Sequence, residues 1–397
     1  MTDTTVADAT PAGDATPAPK GRRAAFHTLE ISEVRKLTDD AIEVSFAVPE
    51  ELAGQFGYTS GQYVALRAEL DGKEVRRSYS LCAEPTPGTL KIAIKRDRGG
   101  LFSNWANDHL VAGAALDVMS PTGAFISKHG VAELNDAQAL AARLSTGGID
   151  RFAAVAAGSG ITPIISIART ILARNPEAIF ELVFANRTAN DVMFVEELAD
   201  LKDRYPSRFA VHHVLSREQR QSPLHSGRID DDKIRSMFDS VFRAEKADEF
   251  FLCGPYELVQ MVRDELGRRG VPEEKVRYEL FSTGKPTSGG ADVGAPVRAD
   301  PQGENYAITF TLDGLTGEVD SPKSAKETLL NAALRVRGDV PFACAGGVCG
   351  TCRARIVEGE VEMAENYALE PDEIARGYVL TCQARPTTDA VVVDFDS

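Results

Sequence analysis

The chain has 397 residues, 43% of them hydrophobic and 26% charged, which is the balance of a globular protein with several domains. Its formal net charge is -15, and this argues against a nucleic-acid partner because phosphate binding needs clustered Lys and Arg. The sequence has no run of about 18 apolar residues and no apolar signal segment at its start. We therefore expect a cytoplasmic protein without a membrane span.

The first 150 residues predict a tail, a barrel and an insertion. Residues 1–24 contain almost no large apolar side chains, which predicts a disordered tail. Residues 25–125 alternate short apolar runs with turn residues, a pattern typical of a small antiparallel β-barrel. Residues 126–150 are rich in Ala, Asp and Gly and predict an insertion with a short helix over residues 135–144.

Two further domains follow. Residues 151–283 alternate apolar strands with helical stretches, which predicts an α/β domain with a parallel sheet. Residues 284–303 have the Gly, Pro, Ala and Asp composition of a linker. Residues 304–397 carry four of the six cysteines, so we predict a separate metal-binding domain there.

The four clustered cysteines have the spacing C-x4-C-x2-C, then 29 residues, then C, and they are Cys344, Cys349, Cys352 and Cys382. This is the ligand spacing of plant-type [2Fe–2S] clusters. A zinc site is the alternative, but zinc sites usually pair close knuckles, often with His, and no His follows His225.

A second set of residues in the barrel fits a flavin. Arg77 and Tyr79 lie at the end of a predicted strand, where Tyr79 could supply an aromatic face and Arg77 a cation for phosphate. The N–H groups after Gly99 and Gly100, opening a helix at Ser103, could form an anion site. The alternative is an ordinary hairpin surface with a salt bridge.

The α/β domain carries two motifs at strand ends. Gly158-Ser159-Gly160-Ile161-Thr162-Pro163 joins a strand to a helix, as in sheets that present a helix N-terminus to a pyrophosphate. Cys253-Gly254-Pro255 ends a later strand, where Cys253 could lie beside a nicotinamide ring. The alternatives are a tight strand–helix turn and a small buried thiol.

Three residues bear on which nicotinamide cofactor is used. Arg187, Ser216 and Arg217 follow predicted strands, where cations and a hydroxyl could bind the 2′-phosphate of NADPH. Plain surface charge is the alternative reading of the same residues.

Four strings together resemble the ferredoxin–NADP reductase superfamily: Arg77-Ser78-Tyr79-Ser80, the Gly158 to Pro163 motif, Cys253-Gly254-Pro255 and Glu279-Leu280-Phe281. The cysteine-bearing domain resembles a plant-type ferredoxin, which implies an α+β β-grasp fold. The domain order is similar to reductase components of bacterial multicomponent oxygenases, above all those of phenylacetyl-CoA epoxidase in phenylacetate catabolism. Reductases of ketosteroid hydroxylases and aromatic-ring oxygenases share this architecture and are the alternatives.

The resemblance implies roles for individual residues. Those near the flavin and its phosphates would be Arg77, Tyr79, Ser80, Lys95, Gly100 and Ser103. Those lining the dinucleotide would be Gly158, Gly160, Thr162, Arg187, Ser216, Arg217, Cys253 and Gly254. The reacting rings would lie among Tyr79, Ser80, Cys253 and Phe281, with Cys82 as a small packing residue nearby.

The expected function is electron transfer from NADPH through FAD and a [2Fe–2S] cluster to an oxygenase, with di-iron epoxidase subunits as the expected partner. A flavin accepts two electrons as hydride and releases them singly, which joins a nicotinamide to a one-electron cluster. FMN and NADH stay open as alternatives. The alternative from another class is a non-catalytic redox sensor with a zinc or iron–sulfur module, but nothing in the sequence resembles an output domain.

Overall fold

The structure is a computed structural model that describes residues 26–97, 99–127, 150–242, 246–281, 303–312, 314–338, 340–342 and 345–397. The predicted tail over residues 1–24 and the predicted helix over residues 135–144 lie outside the described residues. Most of the predicted insertion (126–150) and linker (284–303) also lie outside them. The domain boundaries therefore stay predictions.

Six antiparallel strands form the first domain, in the order β4-β3-β6-β1-β2-β5. They are β1 (Phe26–Thr38), β2 (Ala41–Ala47), β3 (Tyr63–Leu70), β4 (Lys73–Ser80), β5 (Thr89–Lys95) and β6 (Ala115–Met119), with helices α1 (Ala53–Phe56) and α2 (Leu101–His109). Leu81, just after β4, bridges to Ile92 of β5, so the sheet closes into the predicted barrel. Asp71 and Gly72 between β3 and β4 both have positive φ (52° and 71°), as a two-residue type I′ turn requires.

Five parallel strands form the second domain, in the order β11-β10-β7-β8-β9. They are β7 (Arg151–Ala157), β8 (Ile179–Asn186), β9 (Phe209–Leu215), β10 (Glu249–Gly254) and β11 (Val276–Leu280), with helices α3 (Ile161–Arg174), α4 (Val195–Arg204), α5 (Asp231–Ser240) and α6 (Tyr256–Arg268). Strand β10 is buried along its whole length, as expected where helices cover both faces of a parallel sheet. The predicted α/β architecture is confirmed.

The third domain has a mixed sheet in the order β13-β12-β18-β14-β16 and a two-stranded sheet of β15 and β17. The strands are β12 (Asn305–Leu312), β13 (Leu315–Pro322), β14 (Arg353–Glu358), β15 (Val361–Met363), β16 (Tyr378–Leu380), β17 (Ala384–Pro386) and β18 (Ala390–Asp394), with helices α7 (Leu329–Leu334) and α8 (Pro371–Ala375). Leu329 and Leu330 of α7 pack with Ile308 and Phe310 of β12 in one core. A helix on a mixed sheet is the α+β arrangement predicted for this domain.

Helix α3 packs largely on the parallel sheet, with eleven of its fourteen residues buried, and it also contacts the barrel. Ser166 Oγ donates to the Ala83 carbonyl (2.5 Å), and Arg169 Nη1 donates to the Cys82 carbonyl (3.0 Å). Among the helices that the structure describes, none combines the length and apolar character needed to cross a membrane. The contacts of α3 fix how the barrel faces the carboxyl ends of the parallel strands.

Candidate functional site

A cavity of about 860 Å³ lies where the three domains meet. Its wall contains the end of β4, the turns that follow β7, β8, β9 and β10, and part of the cysteine loop, by which we mean residues 345–352. The predicted site residues in this wall are Arg77, Tyr79, Ser80, Lys95, Gly100, Ser103, Gly158, Thr162, Arg187, Ser216, Gly254, Phe281 and Cys349. Residues predicted for the flavin, the dinucleotide and the cluster thus share one site.

The barrel provides the aromatic part of the wall. The Tyr79 ring lies 5.8 Å from the ring of Phe102, centroid to centroid, and burial raises the pKa of Tyr79 well above its ordinary value. Arg77 is held beside it because its Nη1 donates to the Arg76 carbonyl (2.6 Å). The Tyr79 ring and the Arg77 guanidinium therefore lie in the same part of the wall, in the arrangement predicted for binding a flavin and its phosphate.

Helix α2 opens onto the same cavity. It begins at Leu101, two residues before the predicted start, because the Asn104 N–H already bonds the Gly100 carbonyl (3.3 Å). Ser103 Oγ accepts a hydrogen bond from the Asp97 N–H (3.0 Å), so its own proton is free to point elsewhere. The N–H groups of the first turn can form the predicted anion site.

The turn after β7 contains two glycines with different surroundings. Gly158 has a φ of +54° and lines the cavity, with nothing near the position of a Cβ. Gly160 lies behind the wall, where a Cβ would meet the Cys253 carbonyl oxygen at 2.2 Å. Thr162 Oγ1 donates to the Ser159 carbonyl (3.0 Å) and closes the turn. Gly160 therefore allows close strand–helix packing, and its predicted contact with the dinucleotide stays a prediction.

Both cysteines outside the cluster are fully buried. Burial raises the pKa of Cys253 and of Cys82 well above the usual thiol value. The Cys253 side chain does not line the cavity, although the next residue, Gly254, does. The placement of Cys253 fits the alternative of a small buried thiol, and that of Cys82 fits the predicted packing role.

The cations at the dinucleotide end differ in their partners. Arg187 Nη2 contacts Asp40 Oδ2 (3.0 Å) and also bonds Asp191. Arg217 does not line the cavity. The sequence analysis missed Arg228, which lines the wall; like Arg217, it forms no ion pair with any residue that the structure describes. Of Arg187, Arg217 and Arg228, Arg228 therefore both lines the cavity and lacks a competing carboxylate among the described residues.

Two polar residues in the wall have buried side-chain atoms without hydrogen-bond partners among the described residues. They are Ser78, through Oγ, and Asn186, through both Oδ1 and Nδ2. Buried polar atoms nearly always have a partner, and the position of these atoms in the wall allows them to bond a ligand in the cavity. Together with the aromatic ring and the cations, they fit a flavin and a dinucleotide in this cavity.

Glu279 is a second wall residue to which the sequence analysis gave no role. Ser80 Oγ donates to Glu279 Oε2 (2.9 Å). Burial raises the pKa of Glu279 to about 7, while the Ser80 hydrogen bond lowers it. The position of Glu279 two residues before Phe281 was a signal that sequence reasoning could have used. A carboxyl that titrates near neutral pH borders the predicted flavin site.

Thr351 in the cysteine loop and Gln383 outside it offer hydrogen bonds to cysteine sulfurs. The Thr351 N–H lies 3.5 Å from Cys349 Sγ, and Gln383 Nε2 lies 3.7 Å from Cys382 Sγ. The side-chain hydrogen bond with Cys352 lowers the pKa of Cys382. Cys344 lies outside the described residues, and the described part of the chain has no group of three His, Cys, Asp or Glu that could hold one metal ion. Donors aimed at sulfur fit thiolate ligands of an iron–sulfur cluster.

Three family models match successive parts of the chain. They are the oxidoreductase FAD-binding domain over residues 28–126, the oxidoreductase NAD-binding domain over residues 154–264 and the 2Fe-2S iron-sulfur cluster binding domain over residues 310–387. Each match falls on the domain in which the corresponding site residues were predicted.

Relatives match almost the whole chain. A 1,2-phenylacetyl-CoA epoxidase subunit from Escherichia coli (strain K12) is 40% identical over 94% of this chain and 98% of its own. The ferredoxin reductase component of 3-ketosteroid-9-alpha-monooxygenase from Rhodococcus rhodochrous is 34% identical over 95% and 98%. The solved structure of phthalate dioxygenase reductase has the same fold, with a TM-score of 0.54 at 24% identity over 93% and 98%.

The fold and the cavity define a class of reductase with flavin, nicotinamide and iron–sulfur domains in one chain. The chain belongs to the family of ferredoxin–NADP reductase-like flavoproteins that carry a C-terminal [2Fe–2S] ferredoxin domain. It is an NAD(P)H-dependent oxidoreductase with domains for FAD, NAD(P)H and a [2Fe–2S] cluster. The alternatives of a zinc site and of a non-catalytic sensor are therefore wrong.

The close packing around Gly160 predicts that an added methyl group destabilises the protein at this position more than at an open glycine. We expect Gly160→Ala to destabilise the nucleotide domain by about 1–3 kcal/mol, because its methyl group would overlap backbone atoms. Gly267→Ala in helix α6 is the matched control, since nothing lies within 4 Å of its Cβ position. Calorimetric unfolding of both variants measures the difference, and equal transitions would contradict the packing role of Gly160.

Glu279 predicts a pH dependence of flavin reduction. Its carboxyl is neutral below a pKa of about 7 and negative above it. A negative charge beside the flavin opposes the charge that arrives with the hydride, so we expect NADPH–ferricyanide activity to fall as the pH rises through about 7. Glu279→Gln stays neutral and should lack this fall.

Ser80→Ala provides the second arm of the same measurement. The Ser80 hydrogen bond lowers the pKa of Glu279, so its removal should move the fall in activity to higher pH. Initial rates over a pH series centred on neutrality check both variants. An unchanged inflection in Glu279→Gln would assign it to another group.

Proposed function

We propose that this chain is the cytoplasmic reductase component of a multicomponent oxygenase, specifically phenylacetyl-CoA epoxidase in phenylacetate catabolism. In this role it carries electrons from NADPH through FAD and the [2Fe–2S] cluster to di-iron oxygenase subunits. The relative that is 40% identical over nearly both full lengths supports this choice of oxygenase.

The observation that carries the electron order is the shared wall of the cavity. Tyr79 of the barrel, Gly158 of the nucleotide domain and Cys349 of the cysteine loop all line it. The nicotinamide, the flavin and the cluster must each come close to the next for electrons to pass, and a common cavity provides that closeness. This geometry favours a linear order with the flavin in the middle.

The residues have distinct tasks in this proposal. Tyr79 would support the flavin ring, Arg77 and the first turn of α2 would bind its phosphates, and Ser80 with Glu279 would set the charge beside it. FAD, when bound, supplies the conversion between a two-electron hydride donor and a one-electron acceptor. The helix N-terminus after Gly158 would face the dinucleotide pyrophosphate.

The choice of oxygenase is tested by reconstitution. Purified oxygenase subunits of phenylacetyl-CoA epoxidase are mixed with this reductase, and NADPH oxidation that depends on phenylacetyl-CoA is the expected result. A 3-ketosteroid hydroxylase oxygenase with its own substrate is the control, because a ketosteroid reductase is 34% identical to this chain. Faster turnover in the control would move the proposal to the ketosteroid system.

Replacing one cluster ligand separates the two halves of the chain. We expect Cys349→Ser to abolish reduction of a one-electron protein acceptor, because the cluster loses a thiolate ligand. NADPH–ferricyanide activity should persist, since it draws on the flavin alone. Cys82→Ser, which alters a buried thiol outside the cluster, is the control. Loss of both activities in a variant that still holds its flavin would contradict the linear order.

Nucleotide preference is tested by comparing two arginines. Arg217 was the predicted partner of the 2′-phosphate but does not line the cavity, whereas Arg228 does; neither forms an ion pair with a described residue. If Arg228 binds the phosphate, Arg228→Gln should raise the KM for NADPH about tenfold or more and leave the KM for NADH nearly unchanged. Arg217→Gln is the matched variant, and a selective NADPH loss there would support Arg217. Equal losses for NADH and NADPH in both would contradict a 2′-phosphate site at either residue.

A further inference from the structure

The cysteine loop lies against the outer face of the barrel. Cys349 packs against Ala65 of β3 and Met119 of β6, beside Phe26 of β1. These residues belong to the flavin domain, whereas Cys349 belongs to a domain more than 200 residues further along the chain. A cluster ligand is thus packed directly on flavin-domain strands, so barrel side chains can control where the loop lies.

Tyr63 at the start of β3 bonds this loop on one side. Its hydroxyl donates to the Cys349 carbonyl and lies 3.1 Å from Thr351 Oγ1. Thr351 in turn contacts Cys349 Sγ through its hydroxyl (3.1 Å). The Tyr63 side chain is buried, with only 4% exposed. One barrel hydroxyl therefore joins a hydrogen-bond network that ends on the sulfur of a cluster ligand.

Arg76 of β4 bonds the chain on the other side of the first cysteine. Its Nη1 donates to the Val340 carbonyl (3.1 Å) and its Nη2 to the Gly338 carbonyl (3.2 Å). The guanidinium also lies 4.6 Å from the centroid of the Phe342 ring and pairs with Glu74. Arg76 is only 3% exposed. Without these acceptors its buried positive charge would strongly destabilise the folded protein.

We infer that Tyr63 and Arg76 are positioning residues that hold the cysteine loop for electron transfer from flavin to cluster. Their acceptors bracket the C-x4-C segment, with Val340 before it and Cys349 at its end. The inference rests on the proposed function. The step moves one electron. The reduced flavin loses this electron and the cluster gains it, and no covalent bond forms or breaks.

The test compares Tyr63→Phe and Arg76→Met with a matched control. Tyr58→Phe also removes a barrel hydroxyl, which donates to the Ala83 carbonyl (3.1 Å), far along the chain from the cysteine loop. In single-turnover mixing with NADPH, flavin bleaching and cluster bleaching are followed together. We expect the ratio of the cluster rate to the flavin rate to fall about tenfold in each variant, as lost hydrogen bonds of this kind imply, and to stay constant in Tyr58→Phe.

A readout without turnover checks the position of the loop itself. In the oxidised protein without NADPH, amide hydrogen exchange over residues 345–351 should be faster in Tyr63→Phe and Arg76→Met than in the wild type and Tyr58→Phe. The cluster midpoint potential should shift by less than about 59 mV, the shift equivalent to a tenfold change for one electron. A larger shift would explain the slower rate by driving force and would overturn the positioning role.

The remaining outcomes also decide whether Tyr63 and Arg76 are positioning residues. Faster exchange with an unchanged rate ratio would make the two residues structural only and overturn the inference. Wild-type protein that bleaches its flavin but never its cluster with NADPH would overturn the proposed electron order and the inference with it. If Arg76→Met loses its flavin or fails to fold, Tyr63→Phe decides alone, because it keeps the ring and removes a single oxygen.

Discussion

The position of helix α3 is the constraint on which the site depends. Its buried residues pack against the parallel sheet on one side, while Ser166 and Arg169 bond barrel carbonyls on the other. Ser60 Oγ adds a 2.5 Å hydrogen bond to Thr170 Oγ1. Because α3 follows directly from the Gly158 turn, any shift of the barrel on this helix would also move the flavin wall relative to the dinucleotide turn. The close approach of Gly160 to the Cys253 carbonyl therefore also helps to fix the position of helix α3.

Charge pairing shapes the dinucleotide end of the cavity. Although burial opposes it, the hydrogen bond from Lys95 helps to hold the pKa of Asp40 below its ordinary value. Asp40 also pairs with Arg187, which bonds Asp191 as well. A phosphate that bound Arg187 would have to compete with two carboxylates, and part of its binding energy would be lost in that exchange. An arginine without such partners, as at Arg228, is the better anion site.

The sequence predicted features that depend on neighbouring residues, but not contacts between residues that lie far apart in the chain. The strand ends before Arg187 and Ser216 and the cysteine spacing depend on neighbouring residues, and their patterns can be read directly from the sequence. The Ser80–Glu279 hydrogen bond joins residues 199 apart in sequence, and the Tyr63–Cys349 bond joins residues 286 apart. No periodicity links such pairs. They arise only where residues of the three domains line one cavity.

The register of β3 and β4 places residues for flavin binding and residues for docking of the cysteine loop on the same two strands. Val64 lies opposite Tyr79, and Val64 belongs to the barrel core on which Tyr79 packs. Tyr63 lies opposite Ser80, and Arg76, four residues before Ser80, shares its face because side chains alternate along a strand. One face thus packs Tyr79 on the barrel core at the cavity, and the other brings Ser80, Glu279 and the cysteine loop to the wall of the same cavity. A slip of one residue would exchange the faces and separate the cluster ligand from the flavin wall, so this hairpin is where flavin binding and cluster docking are specified together.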